Sequence, residues 1–177
     1  MALVREVRWG MAAAWILAVA LMVVLAILRV PSREAGPEVC IVSLDGFEMV
    51  VALAEMKRLR ALSRPGSYEN QFGNWRDEGR YTGVLLADLI GEEVEYGAVL
   101  LVAADGYRIE VARSRLEDPG YPMIVAYAFD GVEIPAWRDG PRIAVLPEDG
   151  GVSNEEYGVL SAGSFWVKNV TEIHLLP

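Results

Sequence analysis

Residues 70–80, Asn-Gln-Phe-Gly-Asn-Trp-Arg-Asp-Glu-Gly-Arg, gather amide, guanidinium and aromatic side chains around two glycines. Asn70, Gln71 and Asn74 present both donors and acceptors. Gly73 allows the backbone a tight turn, and Phe72 and Trp75 offer apolar surface. That mixture suits a small-molecule site, where a few polar groups orient a ligand against an apolar wall. It equally suits a solvated turn whose amides bond their own backbone. Arg76 and Arg80 follow at once, and Arg142 and Lys168 lie further on. Guanidinium and ammonium groups suit a phosphate or another anion. Paired with the chain's many carboxylates, they are instead ordinary ionic contacts.

Other chemistry is thinly represented. The chain has one cysteine, Cys40, and one histidine, His174. A disulfide framework within the chain is thereby excluded, and a zinc site of nitrogen and sulfur ligands is disfavoured. Cys40, in "VCIVSL", reads as a small buried hydrophobe. His174 alternates with Ile173 and Leu175, with no nucleophile that the sequence places beside it, so it reads as a strand histidine. Residues 147–158 cluster Glu148, Asp149, Asn154, Glu155 and Glu156. Such oxygen-rich loops hold calcium in some proteins, but this spacing matches no EF-hand and favours a solvated loop. Trp75, Trp137 and Trp166 are candidates for a pocket wall, with core packing the more economical reading.

Something must hold these groups in place, and the first element is apolar. Between Arg8 and Arg29 runs "WGMAAAWILAVALMVVLAIL", without a charge. About 20 such residues span roughly 30 Å as a helix, enough for the hydrocarbon core of a bilayer. A transmembrane helix is expected over 9–30, after a short segment 1–8 and before a linker 31–37. The competing reading is a signal peptide, whose apolar core is shorter and ends at a small-x-small site, here interrupted by Arg33. The basic residues flanking the span nearly balance. The short leading segment then favours an extracytoplasmic domain and a single-pass cell-membrane protein. Gly10, Ala14 and Ala18 lie on one face, where the helix of an integral membrane partner could approach closely. Beyond residue 33 remain 12 basic and 24 acidic residues, net −12. That charge disfavours nucleic acid and anionic lipid as partners of the domain.

The remaining elements are mostly strands. Asp45-Gly46, Asp105-Gly106 and Asp130-Gly131 each separate apolar runs, the strongest short-range hairpin signal. With "PRIAVLP" and "FWVKNVTEIHLL", seven or eight strands are expected, with Val99, Leu101, Ile109, Val125, Val145 and Val170 in the core. "LAEMKRLRAL" spaces Leu53, Met56 and Leu59 as an amphipathic helix, and "TGVLLADLIG" predicts a second, capped by Thr82 and stopped at Gly91. The fold class is α+β, mainly antiparallel β, with a single domain over 38–177.

The order of these pieces resembles the molybdopterin-binding domain of the sulfite oxidase-like oxidoreductases. The matching pieces are "SLDGFEMVVALAEMKRL", "YTGVLLADLI", "AYAFDGVEIP", "DGPRIAVLP" and the terminal "KNVTEI", spread over residues 38–177. The resemblance implies a pterin cofactor held by Asn70, Gln71, Gly73, Asn74, Arg76, Arg80, Arg142 and Lys168. It also implies a metal-ligating cysteine just before the Gly-Asn pair. Here Gln71 and Phe72 stand at that place, and a neutral amide is no substitute for a soft anionic thiolate. The expectation is a degenerate member that contributes no catalytic or metal-ligating residue.

Two functions follow. One is a membrane-anchored accessory module that binds a ligand or partner without molybdenum chemistry. The other is a molybdopterin-dependent oxidoreductase with atypical metal ligation.

Overall fold

The computed structural model describes residues 37–177 except Glu92. The expected leading segment, transmembrane helix, helix face at Gly10, Ala14 and Ala18, and nearly all of the linker lie outside those residues. No helix among the described residues is long and apolar enough to cross a membrane.

Among the described residues, eleven strands form two sheets. The first has the order β2-β1-β11-β5-β6, from β1 (Glu38–Val42), β2 (Glu48–Ala52), β5 (Ala98–Ala103), β6 (Arg108–Ala112) and β11 (Val170–Leu176). The C-terminal strand β11 lies parallel to β1 and antiparallel to β5. The second sheet has the order β10-β3-β4-β7-β8, from β3 (Ala61–Glu69), β4 (Trp75–Leu85), β7 (Met123–Phe129), β8 (Val132–Glu133) and β10 (Gly151–Val152). Strand β9 (Arg142–Val145) pairs with β7 beyond the stretch that β8 covers. One apolar core takes Val39, Leu101 and Ile173 from the first sheet and Tyr81, Val84, Val125 and Ile143 from the second. Of the six core positions expected, five are buried and Ile109 is half-buried.

The three Asp-Gly pairs expected to turn hairpins do so: β1–β2, β5–β6 and β7–β8. Only Asp130-Gly131 has positive φ at both residues, 48° and 79°, as a primed turn requires. At the other two, only the glycine is left-handed, with φ 82° at Gly46 and 86° at Gly106.

The helix expectations need correction. Helix α1 is one turn, Leu53–Met56, and the chain then enters β3. Helix α2 is Leu86–Ile90, preceded by Leu85; Thr82 is no N-cap but lies inside β4, bonded through its hydroxyl to Ser63 at 2.9 Å. A third turn, α3, spans Arg113–Leu116, and a 3-10 turn spans Ala162–Phe165. Strands β3 and β4 are the longest elements, where sequence reasoning placed parts of two helices. Glycines in both strands allow close packing against other parts of the fold. A Cβ at Gly83 would stand 2.2 Å from the Val125 carbonyl oxygen, and one at Gly66 would stand 2.5 Å from the Leu146 side chain.

A candidate anion-facing site sealed by its own carboxylates

The stretch "YENQFGNW" is the turn of the β3–β4 hairpin. Tyr68 and Glu69 end β3, Trp75 begins β4, and residues 70–74 reverse the chain. Asn70 closes the turn. Its backbone N–H donates to the Asn74 carbonyl at 2.9 Å, and its Oδ1 accepts the N–H of Phe72 at 2.9 Å and of Asn74 at 3.1 Å. Gly73 sits at φ 76°, a conformation that glycine reaches without the steric cost of a side chain. Gln71 and Asn74 are exposed, and Phe72 is 76% exposed. Side chains this open wall no pocket, and the Thr-Gly-Val segment is strand rather than helix, at the far end of β4 from this turn. Of the two readings of these amides, the geometry favours a turn that serves its own backbone.

That turn is tied down by a residue the sequence reading placed in a solvated acidic loop. Asn154 Nδ2 donates to the Asn70 carbonyl at 2.9 Å, and its Oδ1 accepts the Ala162 N–H at 2.7 Å. The Glu69 carboxylate accepts the Asn154 N–H at 2.8 Å. Ser153 and Glu156 bond each other at 2.8 Å. Among the described residues no group of three potential ligands is placed to hold a metal ion.

The four basic candidates separate into two pairs. Arg76 and Arg80 are exposed on β4, and Arg80 reaches the Ser63 carbonyl at 3.5 Å. Arg142 and Lys168 come together. Arg142 is 2% exposed, the only buried charged side chain among the described residues. Its guanidinium lies 5.4 Å from the Trp166 ring centre, 5.7 Å from Tyr81 and 5.8 Å from Tyr68. Such a charge away from water requires a counter-charge. Asp77 supplies it at 2.5 Å, and Asp139 stands 4.0 Å away. Lys168 joins the same carboxylates, 2.7 Å from Asp139 and 3.5 Å from Asp77. Two cations thus meet two anions, so the cluster is formally neutral.

Asp77 reaches inward because β4 bulges there. Gly66 pairs with Gly79 but Tyr68 pairs with Arg76, leaving Asp77 and Glu78 opposite one residue. Asp77 takes φ 53°, which aspartate tolerates better than most residues. The Tyr81 hydroxyl donates to its carbonyl at 2.7 Å and the Tyr68 hydroxyl to its carboxylate at 3.3 Å. Burial pushes the Asp77 carboxyl upward, but the hydrogen bond and charge of Arg142, with Lys168 and Tyr68, outweigh it and hold the group below its ordinary value. Burial drives the Tyr81 hydroxyl well above the usual tyrosine range. At Lys168, desolvation lowers the ammonium group, while Asp139 and Asp77 leave it raised overall. Tyr81, Phe129 and Trp137 complete an aromatic wall: Tyr81 lies 4.7 Å from Phe129 and 5.0 Å from Trp166, and Phe129 stacks on Trp137 at 5.8 Å. Trp166 is core, Trp137 is half-buried, and Trp75 is 52% exposed over Gly151.

The donor set does not fit a molybdenum ligand. The residues at the expected thiolate position are an exposed amide and an exposed phenyl ring. Cys40 belongs to the other sheet, paired with Val50 and Glu172. It is half-buried rather than buried, and its thiol is pushed upward by burial and by Glu48 and Glu172, away from the nucleophilic thiolate. His174 bonds Glu172 at 2.6 Å on the exposed side of β11, as a strand histidine. Sequence reasoning found Arg142 and Lys168 but missed Asp77 and Asp139; the run "RDEGR" carried no signal that one of its carboxylates turns inward.

No family model and no curated protein matches the chain. Among solved structures, the sulfane dehydrogenase SoxCD from Paracoccus pantotrophus is similar, with a TM-score of 0.58 at 15% identity. The match covers 78% of this chain and 38% of that one, so this chain spans well under half the length of that structure. A likeness at this identity concerns the fold alone: a mainly β arrangement shared with part of that structure.

Proposed function

We propose that the domain is a membrane-anchored accessory module of oxidoreductase-like fold that binds a ligand or partner and carries out no molybdenum chemistry. The observation behind this reading is the pairing of Arg142 and Lys168 with Asp77 and Asp139. An incoming phosphate would have to displace carboxylates at 2.5 and 2.7 Å from these cations. The amide and phenyl groups of Gln71 and Phe72 add to it, since neither offers a thiolate. Elemental analysis of protein purified from its native membrane tests the proposal. Molybdenum far below one atom per chain is expected, and a stoichiometric content overturns it.

A second reading, a pterin-binding oxidoreductase with atypical ligation, draws on one feature. Arg142 Nε and Trp166 Nε1 are buried without hydrogen-bond partners in the same cluster. Buried donors of this kind are uncommon and mark places where a ligand group would fit. The same elemental measurement decides between the two.

A further inference from the structure

A cleft of about 730 Å³ lies at the end of the β3–β4 ribbon opposite the 70–74 turn. One wall is Arg60 with Ala61, Leu62 and Arg64 of β3, and the other is Leu116 to Pro119, with Pro122, Leu85, Ala87 and Asp88 completing the lining. Along that wall β3 has an open edge. Strand β10 pairs only with Ser67 and Tyr68, so among the described residues Ala61–Gly66 bond a strand on one side alone, through β4. Pro65 fixes which groups face out. Proline cannot donate to a ladder and is placed with its nitrogen toward the open side. Backbone direction alternates along a strand, so Ala61 and Ser63 face the same way. Both are exposed, and the contact that the Ser63 carbonyl accepts from Arg80 is a long one at 3.5 Å.

We propose that this cleft binds an extended segment of a partner protein by strand addition to β3. The backbone groups of Ala61 and Ser63 supply the ladder, which is how an exposed strand edge ordinarily captures a peptide. Leu62, Leu85, Leu116, Pro119 and Pro122 give the apolar lining that receives alternate side chains of the segment. The charge of the cleft selects a basic partner. Asp88 is exposed and makes no ion pair among the described residues, and Asp118 bonds only a backbone N–H, that of Gly120. Glu117 is tied to Arg113 at 2.6 Å, and Arg64 is held by the Leu146 carbonyl and Glu148. Arg60 offsets part of this local field, but the surrounding domain at net −12 reinforces it. The segment is therefore apolar at alternate positions with Lys or Arg between them. This holds whether or not the Asp77–Arg142 cluster ever receives a ligand.

The full chain in detergent micelles tests it with three capped six-residue peptides. One alternates valine with lysine and threonine, the second carries glutamate for lysine, and the third is the first with alternate amides N-methylated. Hydrogen exchange followed by mass spectrometry reads the fragment covering 61–66. The basic peptide should slow exchange there, and the N-methylated peptide should lose at least tenfold in affinity because it cannot extend the ladder. Asp88→Lys should weaken the basic peptide about tenfold. Equal binding of the methylated peptide, preference for the acidic one, protection elsewhere than 61–66, or no binding at millimolar peptide would each overturn the proposal.

Discussion

At the level of single residues, the decisive pair is Asp77 and Arg142. A guanidinium 2% exposed cannot recover its hydration if its partner is removed, whereas an aspartate 29% exposed can. The two deletions should therefore be unequal. Asp77→Ala should destabilise the domain by about 3 kcal/mol, near the low end for a broken buried pair because the carboxylate is partly solvated. Arg142→Met should cost clearly less, and the double variant less than the sum. Urea unfolding of the four proteins measures all three quantities; a larger loss for Arg142→Met would contradict the assignment of the buried charge. The pair also sets an acid limit. Because the folded pKa of Asp77 lies below its unfolded value near 3.8, its contribution is present above that value and is lost as pH falls through the folded pKa. Asp77→Asn should accordingly flatten the stability profile between about pH 4 and its acid limb, while leaving the slope above pH 5 alone. In the sequence, Arg142 and Lys168 were legible as anion-binding groups but their neutralisation was not. The inward turn of Asp77 depends on a bulge and a left-handed backbone that no local pattern encodes.

Elements were legible where turns carried their own chemistry and illegible where packing decided. The three Asp-Gly hairpins follow from the conformations those residues tolerate. Strand β3 was hidden because "ALSRPGSYE" contains Pro65 and Gly66, residues that ordinarily punctuate a loop. Both have tertiary reasons to stand in a strand: Pro65 lies where β3 has no second strand to bond, and Gly66 leaves room for Leu146 and Trp166. Strand β4 was hidden because Leu85–Ile90 carries a helical pattern that invited extension back to Thr82. The close contact of β4 with β7 gives a direct test. In Gly83→Ala the new methyl group meets the Val125 carbonyl oxygen, a backbone atom with no rotamer to escape by, so about 3 kcal/mol of stability should be lost. A variant that melts within 2 °C of the parent would show that β4 and β7 do not approach as described. The 70–74 turn permits a second comparison. Asn154→Ala removes two part-buried bonds and should cost about 2 kcal/mol, whereas Gln71→Ala, fully exposed, should stay within about 0.5 kcal/mol. Gln71→Ala proving the costlier would mean that the opening amides do more than the turn requires.

Across the whole molecule, the chain closes on itself at β1. The first strand lies between β2 and the C-terminal strand β11, so the domain's own ends complete its first sheet from Glu38 to Leu176. One core is fed by both sheets, and the buried Arg142 charge meets its counter-charges inside the chain. Exhaustive chelation should leave its melting temperature unchanged, and a drop of more than a few degrees would reveal a bound ion that contributes to folding. Residues 9–30 stand apart from this unit in composition. Between span and domain, Arg33 offers trypsin a site in the segment just before β1. If the span is a retained anchor with the domain outside the cytoplasm, trypsin added to intact spheroplasts should release a fragment beginning at Glu34. That fragment should melt at the temperature of the full chain, because β1 and every strand it pairs with remain in it. Protection until lysis would reverse the orientation. Purified native chains already beginning near Gly36 would make the span a cleaved leader, and a released fragment that unfolds would show that the domain leans on the residues before it.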